Sequence, residues 1–183
     1  PSNLLCRSHI IAEISHEAFL GGDWSLQAEY IRANVRATAL EGEIYVVKDI
    51  STGRILSSGL WFEPGRGLFG TEAQRALGYD TFFEKLSPET KEWTTHTELE
   101  AQMWWCFCLG TEPDFQGRGL ATALVDAVYA MALSKQGFIG LSTPTELNVA
   151  KYRSMGFRER GRTWLDTPKG GFPAIMLSRD APA

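Results

Sequence analysis

Pro113–Leu124 reads P-D-F-Q-G-R-G-L-A-T-A-L. It follows an aromatic, β-prone run, Trp104–Leu109, and opens an apolar segment in which Leu120, Ala123, Leu124, Ala127, Val128 and Met131 fall on one helical stripe. The pattern predicts a strand, a glycine-rich turn and a helix, with Gly137 as the helix cap. Gly117 and Gly119 lack a Cβ and tolerate positive φ, so successive backbone N–H groups can turn toward one bound anion. The N-terminus of the helix adds partial positive charge at the same place. A unit of this kind suits phosphate oxygens.

Two common phosphate loops are excluded. The stretch has no G-x-x-x-x-G-K-[S/T], and after Gly117-x-Gly119 and Ala121, Thr122 stands where G-x-G-x-x-G needs its third glycine.

On the N-terminal side, Ile10, Ile11, Ile14 and Ala18 recur at helical spacing up to Gly21-Gly22. Ser25–Leu40 reads as a second helix stopped by Gly42. Ile44–Val47 and Arg54–Phe62 read as a hairpin around the turn Asp49–Gly53. Residues 70–100 read as mixed, polar and helical, with Pro88 as a break. On the C-terminal side the pattern gives a short strand at Phe138–Leu141, a helix at Thr145–Ser154, and a final hairpin of Arg158–Trp164 and Ala174–Leu177. The strand–helix–strand unit through the glycine turn is expected to pair in parallel. The fold class is therefore α/β (α+β), with a mixed, mostly antiparallel sheet flanked by helices.

Composition narrows the function. The chain has 183 residues, 44% hydrophobic and 22% charged, as expected of one domain, residues 1–183, with a substantial core. No apolar run approaches the roughly 18 residues of a membrane span. The chain starts at Pro1, without a signal-peptide pattern. A net charge of −4 with no basic block gives nucleic-acid binding no electrostatic support. Cys106 and Cys108, two apart in a strand, are expected to share a face. A C-x-C without a partner pair makes a poor zinc site, so no metal is expected, and free buried thiols suit a reducing, cytoplasmic location.

A second motif lies downstream. Asn148-Val-Ala-Lys-Tyr152 precedes Met155-Gly156-Phe157, and the four-residue spacing puts Asn148 and Tyr152 on one helix face. In the first motif, Gln116, Gly119 and Ala121 fill Q/R-x-x-G-x-G/A, with Pro113 and Phe115 before them. Together, in this order, the two resemble the signatures of the GNAT superfamily, the acyl-CoA N-acyltransferases, over roughly residues 100–165, with weaker agreement in the 43–62 hairpin. The tryptophan-rich central strand and the Gly- and Pro-containing final hairpin are also similar to those of the fungal small-molecule branch. That fold begins with a strand before the first helix, for which Asn3–Arg7 is the available segment.

The resemblance implies acetyl transfer from acetyl-CoA to an amine of a small molecule or peptide, by direct attack in a ternary complex. It implies that backbone N–H groups of Gln116, Gly117, Arg118, Gly119, Leu120 and Ala121, with Thr122 beside them, hold the pyrophosphate. The strand edge Leu109, Gly110 and Thr111 pairs with the pantetheine amides, and the Leu109 N–H polarises the thioester carbonyl. Asn148 and Lys151 contribute to cofactor binding, and Tyr152 is the matched position for the acid that protonates the leaving thiolate. Glu100 and Glu98 come first as general base, ahead of His96 and Glu112. No nucleic acid or membrane partner is implied, and the chain is expected to be a monomer or homodimer. Of Trp104 and Trp105, one is expected in the core and the other is a candidate for lining the acceptor pocket, as with Trp61 and Phe62. Two rival readings are a CoA-binding regulatory protein without transfer and an α/β domain whose glycine turn is only structural.

Overall fold

A computed structural model describes residues 13–95 and 103–181. The elements, in chain order, are α1 (Glu13–Phe19), a 3-10 turn (Trp24–Leu26), α2 (Gln27–Glu41), β1 (Glu43–Lys48), β2 (Ile55–Phe62), α3 (Glu72–Arg75), α4 (Tyr79–Glu84), α5 (Pro88–Thr95), β3 (Trp104–Thr111), α6 (Leu120–Ser134), β4 (Ile139–Thr143), α7 (Glu146–Ser154), β5 (Arg158–Leu165) and β6 (Phe172–Arg179). The candidate strand at Asn3–Arg7 lies outside the described residues.

The six strands form one sheet in the order β1-β2-β3-β4-β6-β5. All neighbours are antiparallel except β3 and β4, which run parallel. The expected mixed sheet and its parallel crossover are both present.

Helices cover the two faces. The apolar stripe of α6 buries Leu124, Val125, Val128 and Ala132 against Trp61, Trp104, Cys106, Leu109, Ile139 and Leu141. On the other face α2 places Ile31 over Leu60 and Cys108. A second cluster, Leu20, Leu26, Tyr30, Phe82 and Leu86, ties α1, α2 and α4 together. Residues 70–95 thus form three short helices. Pro88 stands at the expected break: α4 ends at Glu84 and Pro88 opens α5, where the missing N–H of proline costs nothing in a first turn. At the end of α6 it is Gln136, not Gly137, that takes positive φ (+58°). Gly137 gives its N–H to the Ala132 carbonyl across 2.9 Å and packs close to the Trp104 ring.

Two irregularities of β3 shape the molecule. Its ladder with β4 is short, with Trp104 opposite Ile139 and Trp105 opposite Gly140, after which the strands part. Toward β2, Leu60 faces Cys108 and Trp61 faces Cys106, so Phe107 is an extra residue, a β-bulge. The bulge changes the alternation of side chains. Cys106 belongs to the α6-side core and Cys108 to the α2 side, which corrects the expectation that they share a face.

Candidate active site

The divergence of β3 from β4 opens a cleft between their C-terminal ends. Strand geometry sets what the edge of β3 presents to it. Glu112 gives its N–H to the Leu56 carbonyl across 2.9 Å. Backbone groups alternate sides along a strand, so those of Gly110 and Cys108 also turn toward β2, while those of Leu109 and Thr111 turn toward the gap. The Thr111 carbonyl accepts a hydrogen bond from Gln116 Nε2 at 3.2 Å.

The turn after β3 is built for anion contact. A 3-10 turn over Pro113–Phe115 leads into Gly117 and Gly119, which hold φ of +72° and +75°. Nothing lies within 4 Å of where a Cβ would sit on either glycine. Gly119 is the N-cap of α6 and has no side chain to satisfy the first-turn amides, so those N–H groups keep their capacity for an external acceptor.

The opposite wall comes from α7. Thr145 caps this helix by accepting the Asn148 N–H at 3.3 Å. Asn148, Val149 and Tyr152 form its buried face, with Asn148 4% and Tyr152 8% exposed. The Tyr152 ring meets Phe157 edge-on, at 5.7 Å between centroids. Burial pushes the Tyr152 phenol well above its ordinary value, and the neighbouring Cys106 and Cys108 thiols add to the effect. The hydroxyl therefore stays protonated at neutral pH. Burial likewise raises the Cys106 thiol, which disfavours a thiolate nucleophile.

These parts meet in one cavity of about 430 Å³. Leu109, Gly110, Thr111, Gln116, Gly117, Gly119, Leu120, Ala121 and Thr122 line one side, and Asn148, Lys151 and Tyr152 the other. Phe115, Ser154 and Met155 line it as well. The last two follow Lys151 by three and four residues, so helical spacing was the signal that could have found them. Arg118 points elsewhere. It donates to the Asp114 carbonyl at 3.0 Å and lies over the Phe115 ring, 4.8 Å from its centroid.

Glu112, Trp61, Phe62, Trp104 and Trp105 are not among the residues that line this cavity. Glu98, Glu100 and His96 lie outside the described residues. Glu112, 8% exposed, is held by Arg54 at 2.9 Å. Trp104 and Trp105 are both buried, at 1% and 4%, and so are Trp61 and Phe62 at 0%, so none of the four presents a ring to an open pocket. Among the described residues no His, Cys, Asp and Glu side chains group as a metal site, and no helix is long and apolar enough to cross a membrane.

The cavity suits an elongated molecule with an anionic end. Backbone amides beside left-handed glycines at a helix N-terminus suit an anion, and a strand edge with a buried Asn suits amide groups farther in.

Residues 75–159 match the Acetyltransferase (GNAT) domain family. No curated protein matches the chain in sequence. Among solved structures it resembles a Corynebacterium glutamicum protein described as histone acetyltransferase HPA2 and related acetyltransferase (TM-score 0.65, 16% identity, 100% of this chain and 90% of that one). It also resembles apo YjaB from Escherichia coli (TM-score 0.55, 17% identity, 98% and 89%). A third is the ribosomal-protein-S18-alanine N-acetyltransferase of Escherichia coli (TM-score 0.53, 16% identity, 100% and 87%). At these identities the likeness is one of fold.

Proposed function

Residues 75–159 match the GNAT acetyltransferase domain family, and from that match we propose that the chain transfers an acetyl group from acetyl-CoA to the amine of a small molecule or peptide. The observation that carries the proposal is the shared cavity, in which the glycine turn, the free edge of β3 and the Asn148–Tyr152 face of α7 meet. Acetyl-CoA, when bound, supplies the activated acyl group.

The chain's residues do the rest. The amides around Gly117, Gly119, Leu120 and Ala121, with Gln116 and Thr122 beside them, hold the pyrophosphate. Leu109, Gly110 and Thr111 pair with the pantetheine arm, and Asn148 and Lys151 hold it from the other wall. The Leu109 N–H faces charge that develops on the acyl oxygen, and a fixed donor of this type contributes about 3 kcal/mol to a transition state. The Tyr152 hydroxyl gives its proton to the departing sulfur. The amine arrives as an ammonium and must lose a proton before it attacks; Glu100 and Glu98, just before β3, take that role.

The test is thiol release from acetyl-CoA across a panel of amines, amino acids, polyamines and peptides. Amine-dependent release, with an acetylated product in the mass spectrum, supports the proposal. Tight acetyl-CoA binding with no release from any acceptor favours a CoA-binding regulatory protein instead.

A further inference from the structure

We infer that Phe107 selects the acceptor, and that the acceptor is a small primary amine carried on an aromatic or apolar stem. The inference rests on the acetyltransferase reading above and concerns the sheet face that carries α2, where Phe107 is half-exposed.

The bulge is the starting point. A regular strand would alternate, but here Phe107 and Cys108 both follow Trp105 onto the α2 side of the sheet. Along β3 only Phe107 and Thr111 keep partial exposure, and Phe107 is the only apolar one of the two. Its ring is fixed by edge-on contacts to Phe62 (5.4 Å, 81°) and Trp105 (6.5 Å, 74°). It stands just past the point where β3 leaves β4, two residues before Leu109. The result is a half-exposed aromatic ring held by two neighbouring rings, on the strand whose C-terminal end lines the cavity.

The surroundings fit a small molecule. On this face β4 presents the exposed Ser142 and β6 the half-exposed Met176, directly opposite each other in the ladder. The acceptor surface therefore combines an aromatic ring, a thioether and one hydroxyl, without a carboxylate among these three residues. A stem that packs on Phe107 and Met176 is rewarded, and a multiply charged chain gains no ion pair from them. The helical layer also meets the final hairpin. Gly21 packs on Thr90 of α5, and the aliphatic part of Lys169, in the β5–β6 turn, lies against Gly22. That contact joins the helical layer to the final hairpin.

The experiment uses phenethylamine, spermidine and intact serum albumin as acceptors at saturating acetyl-CoA, with thiol release as the readout. Wild-type protein is expected to prefer phenethylamine over spermidine by about tenfold or more in kcat/KM, the scale of discrimination a hydrophobic pocket supplies. Phe107→Ala should lower kcat/KM for phenethylamine about tenfold, chiefly through KM, leave the value for spermidine within about twofold, and leave the acetyl-CoA Kd unchanged. Phe107→Leu, which keeps most of the volume, should fall between. Preference for spermidine or albumin, equal losses for all acceptors, or loss of acetyl-CoA binding in both variants overturns the inference. Failure of all three acceptors in a protein that binds acetyl-CoA and acetylates another amine also overturns it, while the transferase reading stands. A folded wild-type protein that binds no acetyl-CoA removes that reading itself.

Discussion

Gln116 reaches back from the glycine turn and donates its side-chain amide to the Thr111 carbonyl at 3.2 Å. One hydrogen bond thus ties the loop that meets the phosphates to the strand edge that meets the pantetheine arm. Gln116→Ala should weaken acetyl-CoA binding roughly five- to tenfold, the worth of one neutral hydrogen bond. Turnover at saturating acetyl-CoA should change little. Calorimetry and steady-state kinetics on the same preparation check both parts.

Tyr152→Phe removes only the hydroxyl. The ring contacts with Phe157 and the core remain, so the melting temperature and the acetyl-CoA Kd should hold. Turnover should fall about a hundredfold, within the range supplied by a positioned acid. Unchanged turnover would remove Tyr152 from the chemistry.

Buried phenols make a prediction about alkaline pH. Burial raises both Tyr30 and Tyr152 above the ordinary value of 10.0. Below that value both states carry neutral phenols, and the stabilisation is complete. Above it the unfolded chain releases protons that the folded chain keeps, so stability is lost as pH rises further. Melting temperatures of a Tyr30→Phe, Tyr152→Phe double variant should decline less than wild type between about pH 10 and 11.5. Parallel declines would show that these phenols titrate normally.

Cys106 and Cys108 sit on opposite faces of β3 and are both 7% exposed. Neither should react in the native protein. Iodoacetamide at pH 8, read by mass spectrometry of the digested protein, should leave both unmodified and activity intact. Rapid alkylation of Cys106 with loss of turnover would instead indicate a thiol in the chemistry.

The glycine turn, α6 and α7 were legible in the sequence because their signals are local: glycines at fixed spacing, a continuous apolar stripe, and a Thr145 cap followed by Asn148 and Tyr152. The bulge was not. Its cause is the mismatch between β2 and β3, a property of two strands together, and the C-x-C spacing argued for the opposite arrangement of Cys106 and Cys108. The same mismatch hid Phe107 and directed attention to Trp104 and Trp105, both of which are buried. Gly137 is a related case: the left-handed position after α6 falls to Gln136, and a Cβ on Gly137 would crowd the Trp104 ring.

The most direct measurement is calorimetric titration with acetyl-CoA of the wild-type protein and of Gly119→Val. Gly119 holds φ of +75°, so a β-branched residue strains the turn by about 1–2 kcal/mol and places side-chain atoms where the phosphates are expected. The variant should still fold, as its circular dichroism and melting curve would show. Micromolar binding by the wild type and its loss in the folded variant is the predicted result. No binding by a folded wild-type protein, or equal binding by both proteins, would contradict the account.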